Sequence, residues 1–342
     1  MESETRPAFS VGVVGAGEIS RIAHLPVLTV MDDATVAWIT DRDPSRARAL
    51  AQEFGTDFHP LPDDAADLPE ADIIVLALPY GVRAPYYEAL RERASALFVE
   101  KPLFRTLEEH RRLCAGIPAH RFGQSFTRRS MGSSRVVKRL IEQAPFGPLR
   151  EIRVGFGHMG ALSGNYQSDI RMAGGGMLFD SAIHPLDLIF FLTSATAHRV
   201  EDVQMVMDGG FDVHTEAKLT LERPDGDEVR CSFKVTCLEE TTNRLDLDFE
   251  NGTIAYSAYD RTGRVGLQLR GGGEAFRLTP DGGPYPTTHF QITYEHWRNF
   301  LQGLRSERPN YTSAHETLQT TQLIERCYRP AAPPVLASEP RA

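Results

Sequence analysis

The chain has 342 residues, 41% hydrophobic and 24% charged, which is enough apolar material for two domains. Its formal net charge is -9, and basic residues come singly or in pieces as short as His110–Arg112 and Arg128–Arg129. That leaves no basic face for a nucleic-acid partner. The polar start "MESETRPAFS" has no signal-like apolar core, and no window nears the roughly 18 apolar residues of a membrane span, so the expectation is a cytoplasmic protein with no membrane attachment.

In chain order, "FSVGVVG" predicts a strand leading into a helix from about Glu18. "TVAWIT" is a second strand, and "DPSRARALAQEFG" a helix stopped by Gly55. "ADIIVLAL" and "SALFVE" are strands on either side of the helix "VRAPYYEALRERA". "TLEEHRRLCAG" is a helix, and "RFGQSF" a last short strand. Nearly all-apolar strands alternating with helices predict a parallel sheet covered on both faces. After about Phe126 the pattern changes: the helix "SRVVKRLIEQA", the strand "LREIRVGFG" and a Gly/Ser/Asn loop precede "GGGMLFDSAIHPLDL". Several strands with turn signals such as "PDGD" and "ENGT" then run from Arg199 to Leu278, followed by helices over His289–Leu304 and Ser313–Tyr328. The reading is an α/β protein of two domains. Residues 1–125 form a parallel α/β unit, 126–330 an α/β unit with a large, mainly antiparallel open sheet, and 331–342 a Pro- and Ala-rich tail. The last helix is expected to pack back against the first domain. Cys114, Cys231, Cys237 and Cys327 form no Cys-x-x-Cys pair and read as reduced structural residues.

"VGVVGAGEIS" sets Gly15 and Gly17 at the first strand–helix junction. The first glycine permits the tight turn, and the second lets a pyrophosphate approach the backbone. The helix start at Glu18 and Ile19 offers N–H groups to it. Ser20 stands where a third small residue is usual. Asp41, 24 residues beyond Gly17, closes the second strand, where an acid accepts hydrogen bonds from ribose hydroxyls and repels a 2′-phosphate. That favours NAD; Arg42 beside it keeps NADP possible.

"LFVEKPLF" places Glu100, Lys101 and Pro102 at the carboxyl end of a central strand, the edge where ligands bind in open α/β sheets. There an ammonium can hydrogen-bond a substrate hydroxyl and favour alkoxide character, against the plainer reading of a surface lysine. From Met177 to Leu192 the ionisable side chains are Asp180, His184 and Asp187, which fall on one stripe of an unbroken helix, with Pro185 as a possible kink. Asp180 and His184 fit either a structural pair or acid–base chemistry in which His184 takes a carbinol proton and Asp180 orients it. A metal site lacks further ligands, so no metal is expected.

"VGVVGAGEIS…HLP", "VEKP" and "GGGMLFDSAIHPLDL", in this order, resemble the glucose-fructose oxidoreductase / inositol dehydrogenase (Gfo/Idh/MocA) family over about Phe9–Tyr328. The resemblance implies a Rossmann NAD(P)-binding domain followed by a substrate-binding and oligomerisation domain, hence a homodimer or homotetramer through the C-terminal sheet. It implies Lys101, Asp180 and His184 as the catalytic set, with Lys101–Pro102 as a candidate cis peptide, and Gly15, Gly17, Glu18, Ile19, Asp41, Arg42, Pro79, Glu100 and Lys101 at the cofactor. The family's Thr-Pro-Asn turn and following histidine are replaced by "LPYGVR", with Tyr80 and Arg83, which puts details of cofactor contact in doubt. Candidate substrate contacts are Lys101, Arg128, Tyr166, Arg171, Asp187 and His184; for the arginines, a solvated or inter-domain ion pair is the plainer reading. The implied activity is NAD(P)-dependent hydride transfer at a secondary alcohol or ketone of a sugar, amino sugar or cyclitol. Glycoside cleavage through transient oxidation and a non-catalytic NAD or sugar sensor are the alternatives.

Overall fold

Apolar runs in the first third of the chain become the strands of a parallel sheet: β1 (Phe9–Val14), β2 (Ala34–Thr40), the two-residue edge β3 (Asp57–Phe58), β4 (Ile73–Leu76), β5 (Ala96–Val99) and β6 (Phe122–Gln124). In the computed structural model, which describes residues 8–93, 95–160, 169–257, 259–260, 263–271, 276–278 and 288–329, these strands lie in the order β3-β2-β1-β4-β5-β6. Every strand pair in this sheet is parallel. The covering helices are α1 (Leu25–Leu28), continuing a π-turn over Ser20–His24, α2 (Pro44–Phe54), α3 (Ala84–Leu90) and α4 (Leu107–Gly116). The boundaries of α2 follow from its caps: the Asp43 carboxylate accepts from the N–H groups of Ser45 and Arg46, and Gly55 ends the helix in the left-handed region at φ 65°.

The rest of the chain forms α5 (Gly132–Gln143), β7 (Leu149–Gly157), α6 (Ile170–Ala173), α7 (Ile183–Thr193), β8 (Ala197–Asp208), β9 (Phe211–Glu222), β10 (Glu228–Thr236), β11 (Arg244–Phe249), β12 (Gly252–Tyr256), β13 (Val265–Leu269), β14 (Phe276–Leu278), α8 (His289–Ser306) and α9 (Leu318–Tyr328). The second sheet runs β14-β13-β12-β11-β7-β10-β9-β8, antiparallel except where β7 meets β10. Alternation puts Ile152, Val154 and Phe156 of β7 and Val229, Cys231, Phe233 and Val235 of β10 on one buried face. That face forms a single core with residues of α5 and α7. The four cysteines are free. Among the described residues no single helix is long and apolar enough to cross a membrane.

The C-terminal helices do not keep to the second unit. Trp297, Phe300 and Leu301 of α8 are buried among Val11, Val13, Ile73 and Phe98 of the first sheet. Trp297 stacks on Phe98 at 4.1 Å between ring centroids. The span 126–330 therefore divides, because α8 joins α1 and α2 in covering one face of the parallel sheet. The last helix, α9, contributes Leu323 and Cys327 to the second core and makes contact with α4 of the first unit.

Candidate active site

The glycine turn follows directly from β1. Gly15 sits at φ 106°, and a Cβ there would lie 2.4 Å from the Ala77 carbonyl oxygen, so glycine is required twice over. A Cβ on Gly17 would meet no heavy atom within 4 Å: the chain leaves this space unfilled by its own atoms, as close approach of a pyrophosphate demands. Ser20, at the third small position, donates to the Gly15 carbonyl at 2.5 Å and closes the turn. Asp41 accepts from the Ala16 N–H at 2.7 Å and from the Asp43 N–H at 2.8 Å, which aims its carboxylate beside the turn. Arg42 and Glu18 are exposed and Ile19 is half-buried. This arrangement fits a dinucleotide.

β5 ends at Val99, and the next residues are pinned individually. Glu100 turns inward, and its carboxylate meets His24 Nε2 at 2.9 Å. His24 Nδ1 accepts from the Trp297 indole N–H at 3.2 Å, so the His24 proton sits on Nε2 and is donated to Glu100. Burial raises the Glu100 pKa, but the bonds from His24 and Ser125 and the nearby Lys101 charge outweigh it and hold the carboxyl below its ordinary value. The Lys101–Pro102 peptide is cis. The Lys101 ammonium reaches across to the second unit, donating to the Asp180 carbonyl at 2.8 Å and to its Oδ1 at 3.2 Å.

The stretch from Gly174 to Thr193 is two pieces: a π-turn over Met177–Ser181, then α7, with a 51° bend between the helical segments. Its glycines answer to close packing. A Cβ on Gly176 would lie 2.1 Å from the Asp212 carbonyl oxygen, and one on Gly174, at φ 79°, would strike Tyr80 and Phe179. The break overturns the single stripe expected of Asp180, His184 and Asp187: it sets Asp180 on the π-turn, while His184 and Asp187 stay together on α7. Asp180 is turned to Lys101 and pairs with its ammonium. His184 is half-buried, with Phe126 edge-on at 5.7 Å, and its buried Nδ1 has no partner among the described residues. Burial first, then the charges of Lys101 and Arg128, hold the imidazole pKa well below its ordinary value, so the ring is a neutral base at neutral pH. Asp187 is 1% exposed and forms a two-pronged ion pair with Arg129 at 2.7 and 2.6 Å, which corrects its reading as a substrate contact.

Arg171 is exposed and pairs with Asp169 at 3.0 Å, a local surface contact in place of the substrate contact expected for it. Arg128 lies over the Tyr259 ring at 4.7 Å, in the same turn as Arg129 and near enough to His184 to act on its charge. Tyr166 lies outside the described residues. Pro79 caps a 3₁₀ turn over Tyr80–Val82, and Tyr80 packs edge-on against Phe179 at 5.0 Å, behind the glycine run. Sequence reasoning missed Asp212 and the role of Arg83. Asp212 is buried and accepts from the N–H groups of Gly176 at 2.6 Å and Leu178 at 2.5 Å, and from the Tyr328 hydroxyl, so it caps the π-turn that carries Asp180. Desolvation raises its pKa, and those three bonds oppose the rise. Among the described residues no group of three His, Cys, Asp or Glu is placed to hold a metal ion.

Residues 9–120 match the family described as "Oxidoreductase family, NAD-binding Rossmann fold", and residues 134–255 match the GFO/IDH/MocA C-terminal domain. The chain belongs to the Gfo/Idh/MocA oxidoreductase family. Among its Gfo/Idh/MocA relatives, a dTDP-3,4-didehydro-2,6-dideoxy-alpha-D-glucose 3-reductase of Streptomyces antibioticus is 30% identical over 184 residues, which are 53% of this chain and 55% of the reductase. The chain thus spans about half the length of that relative. An inositol 2-dehydrogenase of Acidothermus cellulolyticus is 25% identical over 264 residues, 74% of each chain. Two solved structures share the fold. A levoglucosan dehydrogenase in complex with NADH and L-sorbose has a TM-score of 0.80 at 16% identity, covering 96% of this chain and 97% of that one. A 3-ketoreductase of Actinomadura kijaniata, in complex with NADP and TDP-benzene, has a TM-score of 0.76 at 19% identity, covering 93% and 96%.

Proposed function

We propose that this protein is a dehydrogenase or reductase of the EC 1.1.1 type that uses NAD at a secondary alcohol or ketone carbon of a sugar, amino sugar or cyclitol. One observation carries the reading: an ammonium clamped by a carboxylate from the other unit lies near a neutral imidazole, at the carboxyl edge of a parallel sheet with an open glycine turn. The nicotinamide, when bound, supplies the hydride acceptor or donor. Gly15, Gly17 and the helix start at Glu18 and Ile19 would hold the pyrophosphate, and Asp41 the adenosine ribose.

The Lys101 ammonium has three N–H donors. Two go to Asp180, and the third is left for the substrate oxygen, where its charge stabilises an alkoxide. His184, neutral because it is buried beside cations, takes the hydroxyl proton in oxidation and returns it in reduction. Relatives named for reducing a didehydro sugar nucleotide and for oxidising inositol support this substrate class. Assembly as a homodimer or homotetramer through the larger sheet is part of the same proposal.

The test is a screen of sugars, sugar nucleotides and cyclitols with NAD and with NADP, followed by NADH absorbance. Lys101→Ala and His184→Ala should each lower kcat/KM by about 10²–10⁴-fold while NADH fluorescence titrations stay close to wild type. Full turnover in either variant overturns the assignment. Tight NADH binding with no turnover on any polyol would point to a sensor instead.

A further inference from the structure

Beyond Val99 the parallel sheet stops supplying hydrogen-bond partners. The last ladder bonds on this strand are from the Glu100 N–H to the Leu76 carbonyl, at 3.1 Å, and from the Ser125 N–H to the Val99 carbonyl, at 2.9 Å. The next three carbonyls, of Glu100, Lys101 and Pro102, are all taken by one side chain. Arg83, at the start of α3 and 2% exposed, donates from Nη1 to the Glu100 and Pro102 carbonyls and from Nη2 to the Lys101 carbonyl at 3.3 Å. Its Nε and Nη2 both bond the Leu78 carbonyl, the former at 2.7 Å.

This use of an arginine is unusual in its acceptors. A buried guanidinium is costly without a carboxylate, and here four main-chain carbonyls take its donors. The planar fork of five donors can span carbonyls that neither a lysine point charge nor an uncharged chain can reach together. The four carbonyls belong to two loops: one follows β4 and abuts Gly15 through Ala77, and the other carries Lys101.

We propose that Arg83 is the positioning residue of this site, clasping the main chain on both sides of Lys101 so that its ammonium meets Asp180 and the substrate oxygen. The proposal rests on the reading of Lys101 as the catalytic lysine. Lys101 is fixed at three levels: the Glu100 side chain by His24, the carbonyls of residues 100–102 by Arg83, and its own ammonium by Asp180. The first and third anchor only side chains. Arg83 holds the carbonyls of the main chain from which the lysine extends.

Two variants test this. Arg83→Met keeps length and bulk without donors, and Arg83→Lys keeps the charge without the fork. The first readout needs no substrate: a brief pulse of acetic anhydride followed by peptide mass spectrometry. If Arg83 holds Lys101, acetylation of Lys101 should rise about fivefold or more in Arg83→Met and less in Arg83→Lys, with Lys138, Lys218 and Lys234 unchanged. On a polyol found in the screen, kcat should fall about 100-fold in Arg83→Met with KM within about threefold, and Arg83→Lys should recover part of the loss. Unchanged Lys101 labelling in a folded Arg83→Met protein overturns the proposal, as does a loss confined to KM. If Arg83→Met does not fold, the labelling of Arg83→Lys decides on the same terms. Failure of the wild-type protein to bind NADH or to turn over any polyol bears on the functional reading alone, because labelling still reports on Arg83.

Discussion

Asp187 and Arg129 show what one buried pair does for this chain. The carboxylate accepts from two guanidinium nitrogens and, at 3.1 Å, from Thr320, while Arg129 also donates to the Tyr311 and Glu316 carbonyls at 3.0 and 3.1 Å. The pair thus ties α7 to the turn after β6 and to the segment leading into α9. Removing one partner strands a buried charge, so Arg129→Met should cost about 3–5 kcal/mol in urea unfolding. Arg129→Met/Asp187→Leu should recover most of that loss, since an apolar pair needs no desolvation; a double variant as unstable as the single one would refute the account. From sequence, Asp187 was legible as a polar residue in an apolar run, but its partner lies 58 residues upstream. No local pattern joins the two. The stripe that grouped it with Asp180 assumed an unbroken helix, and the π-turn removes that assumption.

At the scale of elements, the piece that matters most to the site is the turn over Met177–Ser181. It starts at a glycine run, lies next to a strand end and carries the acid that meets Lys101. Asp212 holds its first N–H groups as a helix cap does, but from another strand. An asparagine offers one acceptor oxygen and points an N–H group at a donor, so Asp212→Asn should lose about 2–3 kcal/mol in denaturant melts. Hydrogen exchange should quicken at Gly176 and Leu178 before it quickens in β10. Exchange unchanged at those two amides would remove Asp212 from this role. The elements themselves were largely readable: β1, β2, β4 and β5 are apolar runs, and Asp43 and Gly55 punctuate α2 as capping chemistry requires. The two-residue β3 was not, being too short to show a period. Asp212 was hidden because an acid near the start of an alternating strand reads as solvent-facing. Arg83 was visible only as an odd residue in a turn, since its acceptors are main-chain atoms that no composition records.

Over the whole molecule, buried histidines hold the C-terminal segments in place. His110 bonds Thr321 at 2.8 Å and the Ala314 carbonyl at 3.0 Å, His198 bonds Gln319 at 3.0 Å, and His296 bonds the Gln124 carbonyl at 2.8 Å. Burial lowers their pKa values to about 3, about 4 and about 4, respectively. Each is therefore neutral in the folded state down to those values, while in the unfolded chain it charges near pH 6.5. As pH falls from about 6.5 to about 4, the unfolded chain takes up protons that the native one refuses, and stability is lost at up to about 4 kcal/mol per pH unit near pH 5. Urea midpoints at pH 7.5, 6 and 5 measure this, and a flat series would refute it. The change from one sheet to the other was legible from the strand pattern after Phe126, yet the packing of α8 returns across that point. α8 lies far along the chain from β1 and β5, and only its apolar face, matched in three dimensions, assigns it to them.

That return has a consequence for how the protein comes into being. The nascent chain emits the six strands of the first sheet long before Trp297, Phe300 and Leu301 exist to cover Phe98 and its neighbours. Until those three residues have left the ribosome, that part of the apolar face stays open to water or to a chaperone. His24 and Glu100, which bond each other next to Lys101, also wait for the indole of Trp297. The nucleotide-binding half is thus made ahead of the helix that finishes it, and a message cut short after β6 would encode a sheet with one face only partly covered.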